Sequence, residues 1–415
     1  MGTDSLLISP WAPLAVLLCL LLFYIIPYFY TYIHLRRIPG PLLARFSNIW
    51  LLYICRKSKR SDTVYNLHEQ LGPVVRIQPN HVSIVDERAI SLVYGHGNGL
   101  EKSSWYDSSI SLTRSIFTAR NRAQHARKRR YIAHSFAPKS SRAAEGPIAN
   151  KVELLVRKWD EMIDKGPQFD GFTQLECRRW FTYLSFDITG DLLFSEPFGM
   201  LENGSDLVKI DKKPGSYVSM MNSLAQRSAA VATLGVLPWL KPHAHLLPDP
   251  FFHKGMDGLQ NLLGVTSAHV RALPYLDAVL NETMRLHSVL GIGLPREVLP
   301  GSKGVHLDSF YFPPSTVLSV PIYAIHRSRD IWGQDANEFR PERWEKLSDR
   351  QKTAFMPFGH GPAACVGRNL AEVEMKMIAA TLTRRYNICV VDSQIESTEG
   401  TTRKILKVNI GIKRR

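Results

Sequence analysis

Apolar residues recur at helical spacing along much of the chain, while the alternation typical of strands is confined to short pieces. Residues 152–163, 275–287 and 369–384 carry apolar side chains three and four positions apart, which predicts amphipathic helices. Residues 74–77, 82–85 and 316–320 predict short strands. No internal repeat, low-complexity tract or interdomain linker follows residue 41. We therefore expect one continuous body, mainly α with a minor β-sheet.

The N-terminal segment has a different pattern. No Asp, Glu, Lys or Arg occurs from residue 5 to residue 35, and the stretch 11–33 is long enough to cross a bilayer as a helix. Asp4 precedes this stretch and the basic residues follow it, unlike a cleaved secretory signal. The positive-inside tendency then predicts a single-pass anchor with the body in the cytosol. The alternative is a buried hydrophobic helix.

These features divide the chain into three parts. Residues 1–35 are predicted to be the membrane anchor, and residues 36–47 are predicted to be a hinge stiffened by Pro39 and Pro41. Residues 48–415 would form the body. The anchor predicts the lipid bilayer as a partner.

The net charge of the chain favours anionic partners but does not indicate which kind. The chain has 52 Lys and Arg against 37 Asp and Glu, a formal net charge of +15. Such a charge favours nucleic acid, acidic lipid headgroups or an acidic redox protein. A basic nucleic-acid-binding protein is one hypothesis, but no nucleic-acid motif is present, so we expect no nucleic-acid partner.

The cysteines direct attention to one loop near the C-terminus. Cys19, Cys55, Cys177, Cys365 and Cys389 form no Cys-x-x-Cys pair and no zinc spacing, which fits a reducing compartment. Cys177 and Cys389 are expected to be buried, inert thiols. Cys365 instead lies in the run from Phe358 to Gly367, directly before a predicted helix.

The loop around Cys365 has the composition that a thiolate ligand requires. Gly361 and Gly367 permit a backbone that a flat cofactor can approach closely, and Phe358 can pack beneath such a ring. The following helix would direct its positive N-terminal end toward the sulfur and stabilise the thiolate.

Two further motifs precede this loop, and all three together resemble the cytochrome P-450 family over nearly the whole chain. Residues 282–285 read Glu-Thr-Met-Arg and match the family's Glu-x-x-Arg motif, and residues 339–344 match its Pro-Glu-Arg-Phe-like segment. The resemblance implies the family's fold, haem b with Cys365 as the iron ligand, and a buried structural ion triad of Glu282, Arg285 and Arg343. A second Glu-x-x-Arg, at Glu176 to Arg179, is interpreted as a solvated helix face.

The resemblance also implies contacts to the two haem propionates. His125 and Arg129 have the spacing of the family's pair on its helix C, and Arg296 lies where a further propionate contact is common. The alternative for Arg129 is a solvated or redox-partner-facing basic patch formed by the run from Arg127 to Arg130. The family usually has Arg or His at the position of Ala363, and its absence predicts weaker haem retention.

One part of the family pattern is missing. The family's long distal helix, with an acid or amide followed by Thr, has no counterpart, so no distal catalytic residue is identified. Residues 188–192 resemble it only superficially, because no Thr follows. Residues 264–271 lead almost directly into the Glu-x-x-Arg helix, which predicts a deletion near 266–273 and an incomplete distal side. Either the gene model lacks an exon, or this is a decayed relative.

The resemblance implies a fungal-type monooxygenase of the endoplasmic reticulum. It would use O2 and electrons from a membrane-bound, NADPH-dependent flavoprotein reductase to insert one oxygen atom into a small organic substrate. The segments 291–296 and 317–321 resemble the benzoate para-hydroxylase subgroup, which suggests an aromatic substrate or one from secondary metabolism. Trp105 and Tyr106 pack either on that substrate or in the core.

A second hypothesis is a haem-binding or truncated protein that has lost turnover. The missing distal helix favours it, because an absent distal wall exposes haem and apolar surface to water. We expect poor folding and little coupled oxygenation from the chain as written.

Overall fold

The computed structural model describes residues 32–111, 114–133, 136–137, 145–166, 168–194, 197–209, 217–261, 274–392 and 395–415, with isolated positions between residues 11 and 26. Its α-helices are α1 (Leu42–Phe46), α2 (Ile49–Arg56), α3 (Arg60–Leu71), α4 (Arg88–Tyr94), α5 (Arg122–Ala133), α6 (Glu145–Lys165), α7 (Cys177–Phe194), α8 (Met200–Asn203), α9 (Met220–Leu234), α10 (Pro250–Asn261), α11 (Pro274–Leu286), α12 (Ile322–Ile325), α13 (Arg329–Trp332), α14 (Asp349–Ala354) and α15 (Arg368–Arg385). Short 3-10 helices cover Ile33–Leu35, Ser104–Ser109, Pro238–Leu246, Pro341–Glu345 and Gly361–Ala363.

The strands are short and lie in small sheets. They are β1 (Val74–Gln78), β2 (His81–Ile84), β3 (Leu100–Lys102), β4 (Gln168–Phe169), β5 (Phe172–Glu176), β6 (Leu207–Lys209), β7 (Tyr217–Ser219), β8 (Arg296–Val298), β9 (Val305–Leu307), β10 (Phe310–Phe312), β11 (Val317–Ser319), β12 (Tyr386–Val390), β13 (Ser397–Glu399), β14 (Arg403–Ile405) and β15 (Asn409–Arg414). Helices therefore dominate the described residues, as the sequence predicts.

The largest sheet has the order β1-β2-β11-β8-β3, in which only β2 and β11 run parallel. The register of its last pair places Leu100 opposite Val298 and Lys102 opposite Arg296. A four-stranded sheet has the order β12-β15-β5-β4, and β6–β7, β9–β10 and β13–β14 form two-stranded pairs. The β3–β8 pair matters most for function, because it brings two cationic side chains together.

Apolar side chains of the described residues gather mainly in two cores. One core joins the largest sheet to α4, α12 and α13 through Val82, Leu318 and Ile325, all fully buried. The other joins α6, α7, α15 and the four-stranded sheet around Trp159, whose ring centroid lies 5.8 Å from that of Tyr386. Helix α6 supplies this second core with one buried stripe at helical spacing: Ile148, Val152, Leu155, Trp159 and Ile163.

The predicted helices and strands are confirmed with small changes in their bounds. Residues 152–163 lie inside α6, residues 275–287 correspond to α11, and residues 369–384 lie inside α15. The strand predictions correspond to β1, β2 and β11. The second Glu-x-x-Arg copy differs from its interpretation, because Glu176 ends β5 and only Arg179 lies on a helix. Arg179 is exposed and its Nε lies 3.1 Å from Glu176 Oε2.

The prediction of a single-pass membrane anchor is wrong for the described residues, none of whose helices is long and apolar enough to cross a membrane. The reason is their composition: the longest helices, α6, α7 and α15, all carry charged side chains along their length. Most of the predicted span, in residues 1–31, lies outside the described residues. Leu35, Ile38 and Ala44, which follow it, are buried in the body.

The predicted deletion near 266–273 also falls outside the described residues. Helix α10 ends at Asn261 and α11 begins at Pro274. Only twelve positions, 262–273, separate these two helices in the sequence. Twelve residues of α-helix would span about 18 Å, so the chain has little length here for the long distal helix.

Candidate cofactor site

A buried ion triad lies behind the cysteine loop. Glu282 and Arg285 face each other on α11, with Arg285 Nε 2.9 Å from Glu282 Oε2 and Nη2 2.8 Å from Oε1. Arg343 Nε donates to Glu282 Oε1 at 2.9 Å. Burial alone would raise the pKa of Glu282, but hydrogen bonds from Arg285, from the Arg340 amide and from Arg343 lower it to about 2. The triad is therefore ionised at neutral pH.

The triad connects α11 to the segment that follows β11. Arg285 Nη1 donates to the carbonyl oxygens of His326 and Ala336, both at 2.6 Å. The indole of Trp344 donates to Glu282 Oε2 at 3.0 Å. Because these groups are buried, breaking the triad would leave charges and carbonyl groups without partners.

His326 extends this network to the cysteine loop. Its Nε2 accepts a hydrogen bond from the Met356 amide at 3.0 Å, so its Nδ1 carries the proton and donates to Ser288 Oγ at 3.0 Å. Met356 O in turn accepts from the Gly359 amide at 3.0 Å. Burial, and then the charges of Arg285 and Arg327, lower the pKa of His326 to about 3. A neutral imidazole thus links the triad to the loop.

The cysteine loop is a tight turn closed by its own backbone. The Cys365 amide donates to Phe358 O at 2.7 Å, and the Ala364 amide donates to Gly361 O at 3.0 Å. Gly361 has a φ of +67°, and a Cβ there would overlap the carbonyl oxygen of Tyr94. This backbone favours glycine at position 361, and also at Gly359, with a φ of +75°, which sequence reasoning missed.

The thiol of Cys365 is exposed beside the start of α15. Gly367 has an ordinary φ of −84°, and a Cβ there would lie in van der Waals contact with Cys365 Sγ, at 3.9 Å. Phe358 is half-buried and its ring centroid lies 5.9 Å from the Arg368 guanidinium. By contrast, burial raises the pKa of Cys55 and of Cys177 to about 11, which suppresses their thiolates.

Four basic side chains lie together near this loop. Lys102 and Arg296 are cross-strand partners, and His125 and Arg129 lie one turn apart on α5. Arg129 Nη1 donates to the Ala364 carbonyl at 2.7 Å, which joins the basic cluster directly to the loop. None of the four forms an ion pair with a carboxylate in the described part of the chain.

The charges of this cluster disturb one another. Burial, followed by the charges of Arg296 and Arg129, lowers the pKa of Lys102 to about 7. Burial, with Lys102, Arg129 and Arg296, lowers the pKa of His125 to about 4. Like charges directly opposite each other in a sheet are destabilising. An anionic ligand in this position would relieve that repulsion.

A cavity of about 320 Å³ lies beside the basic cluster and the loop. Lys102, His125 and Arg296 of the cluster line it together with Pro362 and Ala363 of the loop, and Glu101 also lines it. The basic cluster therefore fits the carboxylates of a haem, and the exposed thiol fits an iron ligand. Sequence reasoning missed Lys102, because its position opposite Arg296 in the sheet could not be predicted from the motifs.

Trp105 and Tyr106 belong to the core of the protein. They are 6% and 1% exposed and form a cluster with Ile292. The Tyr106 hydroxyl accepts a hydrogen bond from Arg296 Nη1 at 2.6 Å. Tyr106 therefore orients Arg296, which favours core packing over substrate contact.

The basic run on α5 divides into two kinds of side chain. Arg127 and Arg130 are exposed, whereas Arg129 turns toward Ala364. None of the residues of α5 is buried. Helix α5 thus directs basic side chains both toward the site and toward solvent.

The chain is similar in sequence to known proteins of one family. The family model described as cytochrome P-450 matches residues 39–248 and 258–413. Benzoate 4-monooxygenase bphA of Aspergillus niger is 37% identical over 99% of both chains. Cytochrome P-450 monooxygenase tpeC of Talaromyces stipitatus is 29% identical over 85% of this chain and 84% of its own. Tryprostatin B 6-hydroxylase of Neosartorya fischeri is 25% identical over 85% and 76%, respectively.

The alignment with bphA also shows a difference in length. It spans 512 positions, whereas this chain has 415 residues, so at least 97 positions (512 − 415) face no residue of this chain. Because the alignment covers 99% of both chains, these gaps are internal.

Removing the triad's carboxylate should destabilise the protein strongly. We expect Glu282→Ala to lower the free energy of unfolding by about 3–5 kcal/mol, since it leaves the buried Arg285 without a counter-charge and Arg343 with only Asp335, whose Oδ2 lies 3.3 Å from Arg343 Nη2. Urea denaturation followed by circular dichroism measures this. The matched control is Glu176→Ala, in the second Glu-x-x-Arg copy, for which we expect about 1 kcal/mol or less. Equal losses in the two variants would contradict the assignment.

His326 should make the protein sensitive to acid. Its folded pKa, about 3, is below the unfolded value, so its neutral form contributes stability above pH 6.5 that is lost as the pH falls toward 3. His326→Asn keeps an acceptor for the Met356 amide but does not titrate. We expect the fall in unfolding free energy from pH 7 to pH 5 to be roughly 2 kcal/mol smaller in this variant. An unchanged pH dependence would show that His326 is protonated in the fold.

Proposed function

This chain belongs to the cytochrome P-450 family of haem-thiolate monooxygenases, and from that premise we propose that it binds haem b through Cys365. As a member of the family it is an oxidoreductase of the monooxygenase type, whose cofactor is haem with a cysteine thiolate as axial ligand. The observation that carries the proposal is that Arg129 joins an unpaired basic cluster to the Cys365 loop, 2.7 Å from Ala364 O. Haem, when bound, supplies the iron at which O2 is reduced.

The chain's own residues would hold the thiolate. Helix α15 begins at Arg368, three residues after Cys365, and the N–H groups of its first turn lack acceptors within the helix. The positive end of the helix favours a negative sulfur. Phe358 and Gly361 shape the loop, and Gly367 lies beside the sulfur. Glu282, Arg285 and Arg343 stabilise the segment behind the loop without touching the substrate.

We propose that Lys102, His125, Arg129 and Arg296 bind the two propionates. Arg129 and Arg296 would act as permanent cations. His125, whose pKa is about 4, would donate a hydrogen bond as a neutral imidazole. Lys102 has a pKa of about 7 without an anion, and a neighbouring carboxylate would raise it and keep the ammonium charged.

The family uses a small-molecule substrate, O2 and a reductase as redox partner. We propose an NADPH-dependent flavoprotein as the reductase of this chain. The exposed Arg127 and Arg130 on α5 would meet its acidic surface, and they support the basic-patch interpretation for this part of the run.

The substrate we propose is a small aromatic or secondary-metabolite compound. The relatives support it through their names, which include a benzoate 4-monooxygenase and a tryprostatin B 6-hydroxylase. The segments 291–296 and 317–321 support it through their resemblance to the benzoate para-hydroxylase subgroup.

The second candidate is a haem-binding protein without efficient turnover. Three observations favour it: the internal gaps against bphA, the twelve residues between α10 and α11, and the absence of an acid-Thr pair at the site among the described residues. Without a group that delivers protons to reduced oxygen, electrons would leave as reduced oxygen species rather than as product.

The haem ligand can be tested by spectroscopy. We expect the reduced, carbon-monoxide-bound protein to show a thiolate-type Soret band, and Cys365→Ser to lose that band. Cys389→Ser removes a cysteine far along the chain in β12 and should leave the band unchanged. Loss of the band in the Cys389 variant alone would show that Cys389, and not Cys365, is the iron ligand.

Turnover separates the two candidates. With reductase, NADPH and benzoate, we expect the chain as written to consume NADPH while most electrons appear as hydrogen peroxide. The measurement is product formed per NADPH oxidised. Tight coupling would exclude the candidate without turnover. Sequencing the transcript across Arg271 to Leu273 provides the control, since an inserted open segment should restore coupling.

A further inference from the structure

A second cavity, of about 310 Å³, lies apart from the cofactor cavity and shares no lining residue with it. It is formed where the end of α11 meets α12 and the β13–β14 hairpin. The residues around it are Leu286, His287, Ser288, Val289, Tyr323, Arg327, Ile395, Ser397, Arg403 and Ile405. No Asp or Glu occurs among the described residues that line it.

Two guanidinium groups share one aromatic ring at this cavity. Arg327 Cζ lies 3.8 Å from the ring centroid of Tyr323, and Arg403 Cζ lies 4.5 Å from the same centroid. Arg327 is 9% exposed and donates to the backbone carbonyls of Leu286 and Tyr323. These contacts fix the orientation of both guanidinium groups, and the ring adds cation–π attraction.

The charges here do not balance. Asp62 Oδ1 lies 2.8 Å from Arg403 Nη1 and serves as the counter-ion of that arginine. Arg327 forms no ion pair with a carboxylate among the residues described by the structure. Burial lowers the pKa of Arg327 from its ordinary value, and burial with the charges of Arg327 and Arg403 lowers that of His287. Arg403 thus has Asp62 and lies opposite Glu399 in the β13–β14 pair, whereas Arg327 presents to the cavity a positive charge that no carboxylate of the described residues pairs with.

The cavity also has an aliphatic part. Its lining includes Leu286, Val289, Ile395 and Ile405, beside the polar residues His287, Ser288 and Ser397. A guanidinium binds a carboxylate with two parallel hydrogen bonds, and aliphatic walls bind a hydrocarbon body. A cavity that has both a guanidinium and aliphatic walls therefore favours a ligand that has both a carboxylate and a hydrocarbon body.

We propose that this second cavity binds a small organic acid, with its carboxylate on Arg327 and its apolar body against the aliphatic side chains. The site does not depend on haem, so its occupancy and the haem spectrum are separate observations. Benzoate is a suitable probe, because its carboxylate and ring match the two kinds of wall. Benzamide has nearly the same shape without the charge, and inorganic phosphate has the charge without the apolar body.

The experiment is isothermal titration calorimetry on the full, haem-loaded chain. Because benzoate is also the candidate substrate at the haem site, only the benzoate binding that the variants of the second cavity remove is assigned to this cavity, and we expect that binding to be at least tenfold tighter than the binding of benzamide or phosphate. Benzamide binding as tightly as benzoate would remove the role of Arg327. Phosphate binding as tightly would remove the role of the apolar wall and leave only a general anion site.

The matched variants are His287→Glu and His245→Glu. His287 lines the cavity beside Arg327, and a glutamate there would supply Arg327 with a carboxylate from the chain itself. We expect this variant to weaken benzoate binding at least tenfold while the carbon-monoxide spectrum stays unchanged. His245 is exposed and does not line the cavity, so His245→Glu should bind benzoate normally.

Arg327→Gln tests the cation directly, but its loss could unfold the segment around Leu286. Its unfolding midpoint is therefore measured first, and Arg327→Lys replaces it if it does not fold. Lysine keeps the charge without the planar pair of donors, so a reduction of benzoate affinity of roughly tenfold is expected. Unchanged affinity in both His287→Glu and the Arg327 variant would overturn the proposal, even if the haem-thiolate spectrum is intact.

Discussion

The buried pairing of Glu282 with Arg285 and Arg343 is the interaction on which the arrangement of the candidate site depends. One carboxylate holds two guanidinium groups, and those groups bind carbonyls in the segment after β11. His326 in turn accepts a hydrogen bond from the Met356 amide and so links this network to the loop that contains Cys365. Because each group is buried and needs its partner, the segment has few alternative arrangements. These contacts hold the exposed Cys365 in a defined position.

The two faces of the site are stabilised in opposite ways. On the side of the triad, the carboxylates of Glu282 and Asp335 offset the charges of Arg285 and Arg343, and both guanidinium groups have hydrogen-bond acceptors. On the side of α5, β3 and β8, four basic groups lie together without an ion pair to a carboxylate among the described residues, and burial together with the neighbouring charges lowers the pKa of Lys102 and of His125. Lys102 and Arg296 stand opposite each other in a sheet, an arrangement unfavourable to the protein alone. Local conflict of this kind is expected at functional sites, where a ligand supplies the missing charge.

The same reasoning separates haem binding from catalysis. The residues proposed to hold the cofactor lie in the described part of the chain, on α5, β3, β8 and the cysteine loop. The groups that would handle oxygen in the family belong to a segment for which this sequence has little length. Binding of a cofactor and its productive use are therefore distinct properties here, and an inactive haem protein is physically consistent with every contact around Cys365.

The sequence by itself determined the mainly α fold, the principal helices, the triad and the cysteine loop. It could do so because helical periodicity and the spacing of motifs are local properties of the chain. The N-terminal segment was predicted from apolar composition alone, and that prediction of a membrane anchor was wrong for the described residues. Only the tertiary structure brought Lys102 opposite Arg296, linked His326 to Met356, and joined Arg327 and Arg403 on Tyr323. These contacts join residues far apart in the chain, and sheet register and helix packing decide them.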